Sequence, residues 1–211
     1  MTGSTTPHAH QRVRVFVDFW NFELSMKRAK GGGFRLDWAA LGPALSTAVA
    51  PLIVGSSAPS TTQFDGLHVY LSYNKTSGND AGLRNWASNV LDRMPGVQVV
   101  MKPRKVKRPP KCPSCHAEVS TCPSCGSSMR GTVEKGVDTA IVTDMIRLAW
   151  EDAYDIAVLV SADSDFVPAV QFLDSKGLRI VHGVFPPRGM ALAKTCWASI
   201  DLVPLLDTIK R

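Results

Sequence analysis

The chain lacks any uninterrupted apolar run approaching the ~20 residues that a membrane-spanning helix needs, so no membrane partner is expected. Its first dozen residues, MTGSTTPHAHQR, lack an apolar stretch as well. That rules out a secretory signal peptide there and reads as a disordered tail over residues 1–11. Cysteine is scarce, five in 211 residues. Four of the five form two Cys-x-x-Cys pairs and Cys196 stands alone, a metal spacing rather than a disulfide framework. This usage agrees with a reducing, cytoplasmic compartment. No internal repeat is present, and there is no excess of acid. The 24 Lys and Arg against 18 Asp and Glu give a net charge of +6, which leans towards a polyanionic partner such as nucleic acid.

What is present alternates. Val13 to Asp18 (VRVFVD) is a short apolar run ending on a carboxylate, as a buried parallel strand does. Leu36 to Val54 predicts a helix interrupted near Pro43 or Pro51, and Gly55 to Gln63 a loop. A strand at Gly66 to Tyr73, a helix from Asp80 to Met94 and a strand at Val97 to Met101 follow. Lys102 to Arg130 is basic, proline-rich and cysteine-bearing, and reads as an insertion. Alternation then resumes: helix Asp138 to Trp150, strand Ile156 to Ser161, helix Asp163 to Ser175, strand Leu178 to Val184 and a short strand at Ile200 to Val203. The pattern implies right-handed crossovers and an α/β domain, a mostly parallel sheet with helices on both faces. That domain comprises residues 12–101 and 131–211, with 102–130 as the appendage; the length supports one good core.

In such sheets ligands sit beyond the carboxyl ends of the strands. Asp18 ends the first strand, and Asp163 and Asp165 follow Ile156 to Ser161 in the turn S-A-D-S-D-F. An aspartate after a strand commonly caps the next helix. Two acids in one turn facing a third on another strand are harder to explain by capping. Asp138 opens a helix whose apolar stripe holds Ile141, Val142 and Met145, so its side chain follows the core-facing side. An unpaired carboxylate there costs roughly several kcal/mol unless a cation or donor meets it. Asp144, about 240° further round the helix, reads as a flanking or solvated acid. Mg²⁺ and Mn²⁺ take oxygen ligands and leave positions open for water and phosphate, which is the chemistry of metal-assisted phosphodiester cleavage.

V-F-V-D-F-W-N (Val15 to Asn21), E-K-G-V-D-T-A-I-V-T-D-M-I (Glu134 to Ile146) and S-A-D-S-D-F (Ser161 to Phe166) resemble, in that order, the NYN domain, the LabA-like branch of the PIN-like nuclease superfamily. The resemblance covers about residues 12–206 apart from the insertion. It implies a PIN-like, Rossmann-like fold and a Mg²⁺- or Mn²⁺-dependent ribonuclease, read here as an endonuclease. Asp18, Asp138 and Asp163 match the family's metal-binding acids and Asp165 its further acidic position. Asn21 matches the asparagine after the first strand and Ser161 the small polar residue before the turn, whereas the usual glycine there is Ala162. Lys135 is placed to meet substrate phosphate, or is simply solvated. PIN-like proteins often pair, so a homodimer is a further implication.

In the insertion, Cys112, Cys115, Cys122 and Cys125 form two knuckles that match a four-thiolate Zn²⁺ site. With no position left open for water, such a zinc ribbon is structural. Ahead of it run Lys102, Arg104, Lys105, Lys107, Arg108 and Lys111, read as an arm that follows RNA phosphates rather than a merely solvated segment. Arg130 extends that face. Phe19 and Trp20 suit either base stacking or packing. Trp38, Trp86, Trp150 and Trp197 are expected to pack, and Cys196 to be a buried small hydrophobe. Two alternatives stay open: a non-catalytic RNA- or protein-binding module that kept the fold, and a DNA nuclease.

Overall fold

Along the first strand Val13, Val15 and Val17 enter one hydrophobic core and Phe16 the other, the period of two expected of a strand covered on both faces. The computed structural model describes residues 10–53, 61–75 and 77–211. Its elements run β1 (His10–Asp18), α1 (Phe19–Lys30), α2 (Trp38–Val49), β2 (Thr61–Tyr73), α3 (Gly78–Asn89), β3 (Val97–Pro103), β4 (Lys105–Lys107) and β5 (Gly131–Val133). They continue with α4 (Val137–Trp150), β6 (Ile156–Val160), α5 (Val167–Ser175), β7 (Arg179–Val184), α6 (Met190–Thr195), β8 (Ala198–Asp201) and α7 (Leu202–Thr208). Six strands form one sheet in the order β3-β2-β1-β6-β7-β8, every pair parallel. The α/β class expected from the alternation is therefore the fold observed.

Two cores hold the sheet. α1, α2, α3 and α7 cover one face through Phe22, Leu41, Leu45, Ala87 and Leu202. α4, α5 and α6 cover the other through Ile141, Met145, Val170 and Leu192. Among the described residues no helix is long and apolar enough to cross a membrane.

Local differences from the sequence reading have physical causes. Helix α1 was not anticipated, yet its signals are present. Asp18 caps it by accepting the Asn21 N–H, Phe19, Phe22 and Met26 bury one stripe, and Gly31 ends it at φ 85°. Helix α2 runs straight through Pro43, held by the complete burial of Leu41, Leu45 and Val49, and tightens into a 3-10 turn only at Ala50–Ile53. Ile200 and Asp201 are strand, but Asp201 accepts the Val203 N–H and starts α7, so the expected strand stops two residues early. His10 and Gln11 belong to β1; the rest of the expected tail, residues 1–9, lies outside the described residues. So does 54–60 of the expected loop, whereas Thr61 to Gln63 open β2. β3 continues to Pro103, and the inserted segment leaves and returns through the antiparallel pair β4–β5.

Candidate active site

Strand order reverses between β1 and β6: after β1 the chain moves outwards to β2 and β3, then crosses back to β6 and onwards to β8. The loops leaving β1 and β6 part in opposite directions, and the crevice between them is where open parallel sheets bind ligands. Asp18 is the last residue of β1, and Ser161, Ala162 and Asp163 follow β6.

These two strand ends are tied together. Ser161 Oγ donates to Asp18 Oδ2 at 3.2 Å and accepts the Asp163 N–H at 3.2 Å. Asn21 Oδ1 accepts the Ala162 N–H at 3.1 Å. From behind, His182 Nε2 lies 2.6 Å from the Ser161 carbonyl, so that nitrogen donates, and burial holds the imidazole neutral by lowering its pKa. Asp163 Oδ1 accepts the Asp165 N–H at 3.0 Å, capping the short turn that leads into α5.

Asp18, Asp138 and Asp163 line one cleft of 380 Å³ together with Glu134. Asp18 is only 5% exposed. Burial pushes its carboxyl up to about 6, against the Asn21 N–H and Ser161 hydroxyl, with help from the Glu134 and Asp138 charges. Asp138 is likewise raised, first by desolvation and then by Asp163, Glu134 and Asp165. It caps nothing: the N-cap of α4 is Gly136 at φ 81°, and no described residue donates to the Asp138 carboxylate. Asp165 is exposed beside the cleft rather than in its lining. Asp144 faces elsewhere, accepting from Tyr70 Oη at 2.9 Å and pairing with Arg147.

Glu134 was missed as a cleft acid because it follows an insertion of unpredictable path. It accepts from the Ser72 hydroxyl and stands 3.9 Å from Arg104. Arg104 Nε also donates to Ser72 Oγ at 3.0 Å, and its guanidinium lies 5.1 Å from the centre of the Trp20 ring. Trp20 Nε1 donates to the Ser72 carbonyl at 2.8 Å, so the indole is pinned at the cleft wall. Of the anticipated basic arm, Arg104 is thus engaged at the root. Lys102 is half-buried opposite Ser72 in the β2–β3 register, and Lys105, Lys107, Arg108, Lys111 and Lys135 are exposed. Trp38 and Trp86 pack as expected; Trp150 does not, at 75% exposed.

The donor set suits a hard divalent cation: carboxylate oxygens in one cleft, raised in pKa partly by mutual repulsion. Among the described residues no three His, Cys, Asp or Glu side chains stand close enough to share an ion as they are, so the carboxylates would have to draw inwards around one. The cysteines behave similarly. Two ten-residue knuckles repeat one pattern. Cys112 N–H donates to the Ala117 carbonyl and Cys122 N–H to that of Ser127. Turns close with His116 at φ 58° and Gly126 at φ 69°. The Cys112 thiol is lowered by the N–H groups of Cys115 and Ser114, then by the Cys115 side chain. That of Cys125 is lowered by Ser127 and then Cys122. One thiol in each knuckle is thus moved towards the thiolate, the form zinc requires.

The NYN domain model matches residues 12–202. The uncharacterized protein y4oD of Sinorhizobium fredii is 44% identical over 57 residues, 26% of this chain and 27% of that protein, so the chain spans about a quarter of that relative. The crystal structure of VPA0982, a protein of unknown function from Vibrio parahaemolyticus, superposes with a TM-score of 0.56 at 14% identity, covering 94% of this chain and 98% of that one. That likeness speaks to the fold alone.

Proposed function

We propose that this chain, which belongs to the NYN domain family within the PIN-like nuclease superfamily, is a divalent-metal-dependent ribonuclease that cuts RNA phosphodiester bonds at Asp18, Asp138 and Asp163. The observation that carries this reading is the meeting of those three carboxylates in one cleft at the switch point of the sheet, Asp138 without a donor. Mg²⁺ or Mn²⁺ bound there supplies Lewis acidity and an activated water. The chain's own residues do the rest. Ser161 and Asn21 hold the β6 turn against Asp18, so that Asp163 is fixed relative to it. Asp165 adds negative charge at the edge of the cleft and strengthens its pull on a cation. Lys102, Lys105, Lys107, Arg108, Lys111 and Lys135 hold the RNA backbone, with the four cysteines keeping the arm folded around Zn²⁺.

The test compares cleavage of labelled RNA and DNA oligonucleotides, with and without Mn²⁺, by the wild-type protein and Asp163→Asn. Asparagine keeps the capping acceptor of the turn, so lost cleavage reports lost chemistry. Cleavage of RNA that needs Mn²⁺ and vanishes in the variant is expected. Equal cleavage by both proteins would overturn the assignment of the chemistry to Asp163, and tight RNA binding with no cleavage under any metal would make the chain a binding module. Preference for DNA would transfer the same chemistry to the other nucleic acid.

A further inference from the structure

Arginines close to carboxylates usually pair with them. Arg12, Arg14 and Arg147 do so here, with Asp155, Asp65 and Glu151. Arg28 and Arg188 do not. Both are exposed, both line the cleft shared by Asp18, Asp138 and Asp163, and neither guanidinium bonds to a described residue. A cleft with carboxylates inside and free guanidinium groups along it suits a cation and a phosphate side by side.

The loop carrying Arg188 is built to hold it there. Beyond β7, Phe185 is buried and its ring centre lies 5.8 Å from that of Phe22. The Arg188 N–H closes a turn by donating to the Phe185 carbonyl at 3.0 Å. Gly189 then sits at φ 73°, where a Cβ would stand 2.9 Å from His182 Cε1 and 3.2 Å from Ala162 Cα. The loop is therefore pressed onto the same Ser161–Ala162 turn that leads to Asp163, and only glycine fits at the contact. His182 braces both sides, against Gly189 and against the Ser161 carbonyl. The backbone of Arg188 is fixed relative to Asp163, which is what a preorganised charge requires.

We infer that Arg188, assisted by Arg28, is a catalytic residue that grips the non-bridging oxygens of the phosphodiester being cut, an assignment that rests on the nuclease reading above. As the water oxygen bonds to phosphorus, the bond from phosphorus to the leaving oxygen breaks. A water hydrogen ends on the leaving oxygen and the water oxygen stays on phosphorus. Negative charge grows on the phosphoryl and leaving oxygens along the way, and a fixed, two-pronged guanidinium meets it more strongly than it meets the ground state.

The experiment uses the full chain, a labelled 20-nucleotide RNA and the variants Arg188→Ala, Arg188→Lys, Arg28→Ala and Asp138→Asn. Arg93→Ala, an exposed arginine outside the cleft, is the charge control. Cleavage with Mn²⁺ is measured beside RNA binding by fluorescence anisotropy in metal-free buffer at several salt concentrations. Arg188→Ala should cut kcat by ~10²-fold, the scale of losing one charge-stabilising donor. It should also shallow the slope of log affinity against log salt by ~0.7, one single-strand phosphate contact. Arg188→Lys should restore the slope but only part of kcat, because lysine lacks the fork. An unchanged melting temperature shows that the loop still folds. Cleavage and slope matching Arg93→Ala, with Asp138→Asn inactive, would overturn the role of Arg188 and leave the nuclease reading standing. A wild-type chain that neither binds nor cuts RNA overturns both.

Discussion

Replacing Asp18 by asparagine should make the metal-free protein more stable while removing its response to magnesium. The carboxyl is buried and sits at about 6 rather than its ordinary 3.8. An acid whose pKa is raised by folding binds more protons folded than unfolded, so its contribution turns unfavourable as pH climbs from about 4 through 6 and stays so above. A shift of about two pKa units corresponds to ~3 kcal/mol. Asparagine removes the charge and still accepts the Asn21 N–H as an N-cap. Its amide group, however, turns donors towards Ser161, which already accepts the Asp163 N–H, so about 2 kcal/mol is the net gain expected. For a chain of this size that is a rise of ~4–8 °C in melting temperature.

The assay is a thermal melt of both proteins after dialysis against magnesium-free buffer, at pH 8 and pH 5. The gap should be wide at pH 8 and shrink at pH 5, where the wild-type carboxyl is largely protonated. Adding magnesium at ~100 times its dissociation constant should raise wild-type stability by ~2.7 kcal/mol and leave Asp18→Asn in place. An asparagine variant that melts below wild type at pH 8, or a gap that ignores pH, refutes the claim that Asp18 is a strained, cation-seeking charge.

Other perturbations separate structure from chemistry. Burial pushes the Cys196 thiol up to about 12, so iodoacetamide should modify Cys112, Cys115, Cys122 and Cys125 once zinc is chelated and spare Cys196 in the folded protein, as peptide mass mapping would show. His116→Gly should relieve ~1 kcal/mol of left-handed strain at φ 58° and slow chelator-driven zinc loss, whereas Gly126→Ala should hasten it. Gly189→Ala places a Cβ against His182 and Ala162 at a positive φ, and a loss of ~1–3 kcal/mol in a denaturant melt is expected.

Some of the candidate site was legible in the sequence and some could not be. Asp18 and Asp163 are read from position alone, because apolar runs mark strands and ligands gather at strand ends. Asp138 is read from helical period, since Ile141 and Met145 fix which side of α4 faces the sheet. Helix α1 is equally legible through its aspartate cap and terminal glycine, because one residue, Asp18, both ends β1 and caps the helix that follows. Glu134, Arg28 and Arg188 were not legible, because nothing local distinguishes them from solvated charges; only the crossing of separate segments brings them to one cleft. Arg104 shows the converse. Within the run K-P-R-K-V-K-R it looks like its neighbours, and only the β2–β3 register sets it beside Ser72, and through it Glu134.

Strand register also decides which carboxylates and hydroxyls share a face. In β1 Phe16 lies opposite His68 and Asp18 opposite Tyr70, and the Phe16 and His68 rings stack at 5.4 Å on the α4 side. Nearer the start of the strand Val13 lies opposite Phe64, and both pack into the other core. The two registers are compatible only because β2 carries one extra residue, Asp65, between Phe64 and Gly66, where the pairing shifts. Were Asp65 paired in regular alternation instead of bulged out, keeping Phe64 in its core would turn Tyr70 and Ser72 away from α4, since side chains alternate with period two. The Arg14–Asp65 ion pair sits at this bulge. A bulge near the start of the β1–β2 pair therefore sets whether Ser72 can meet Glu134, and so how the inserted arm is rooted at the carboxylates it is proposed to serve.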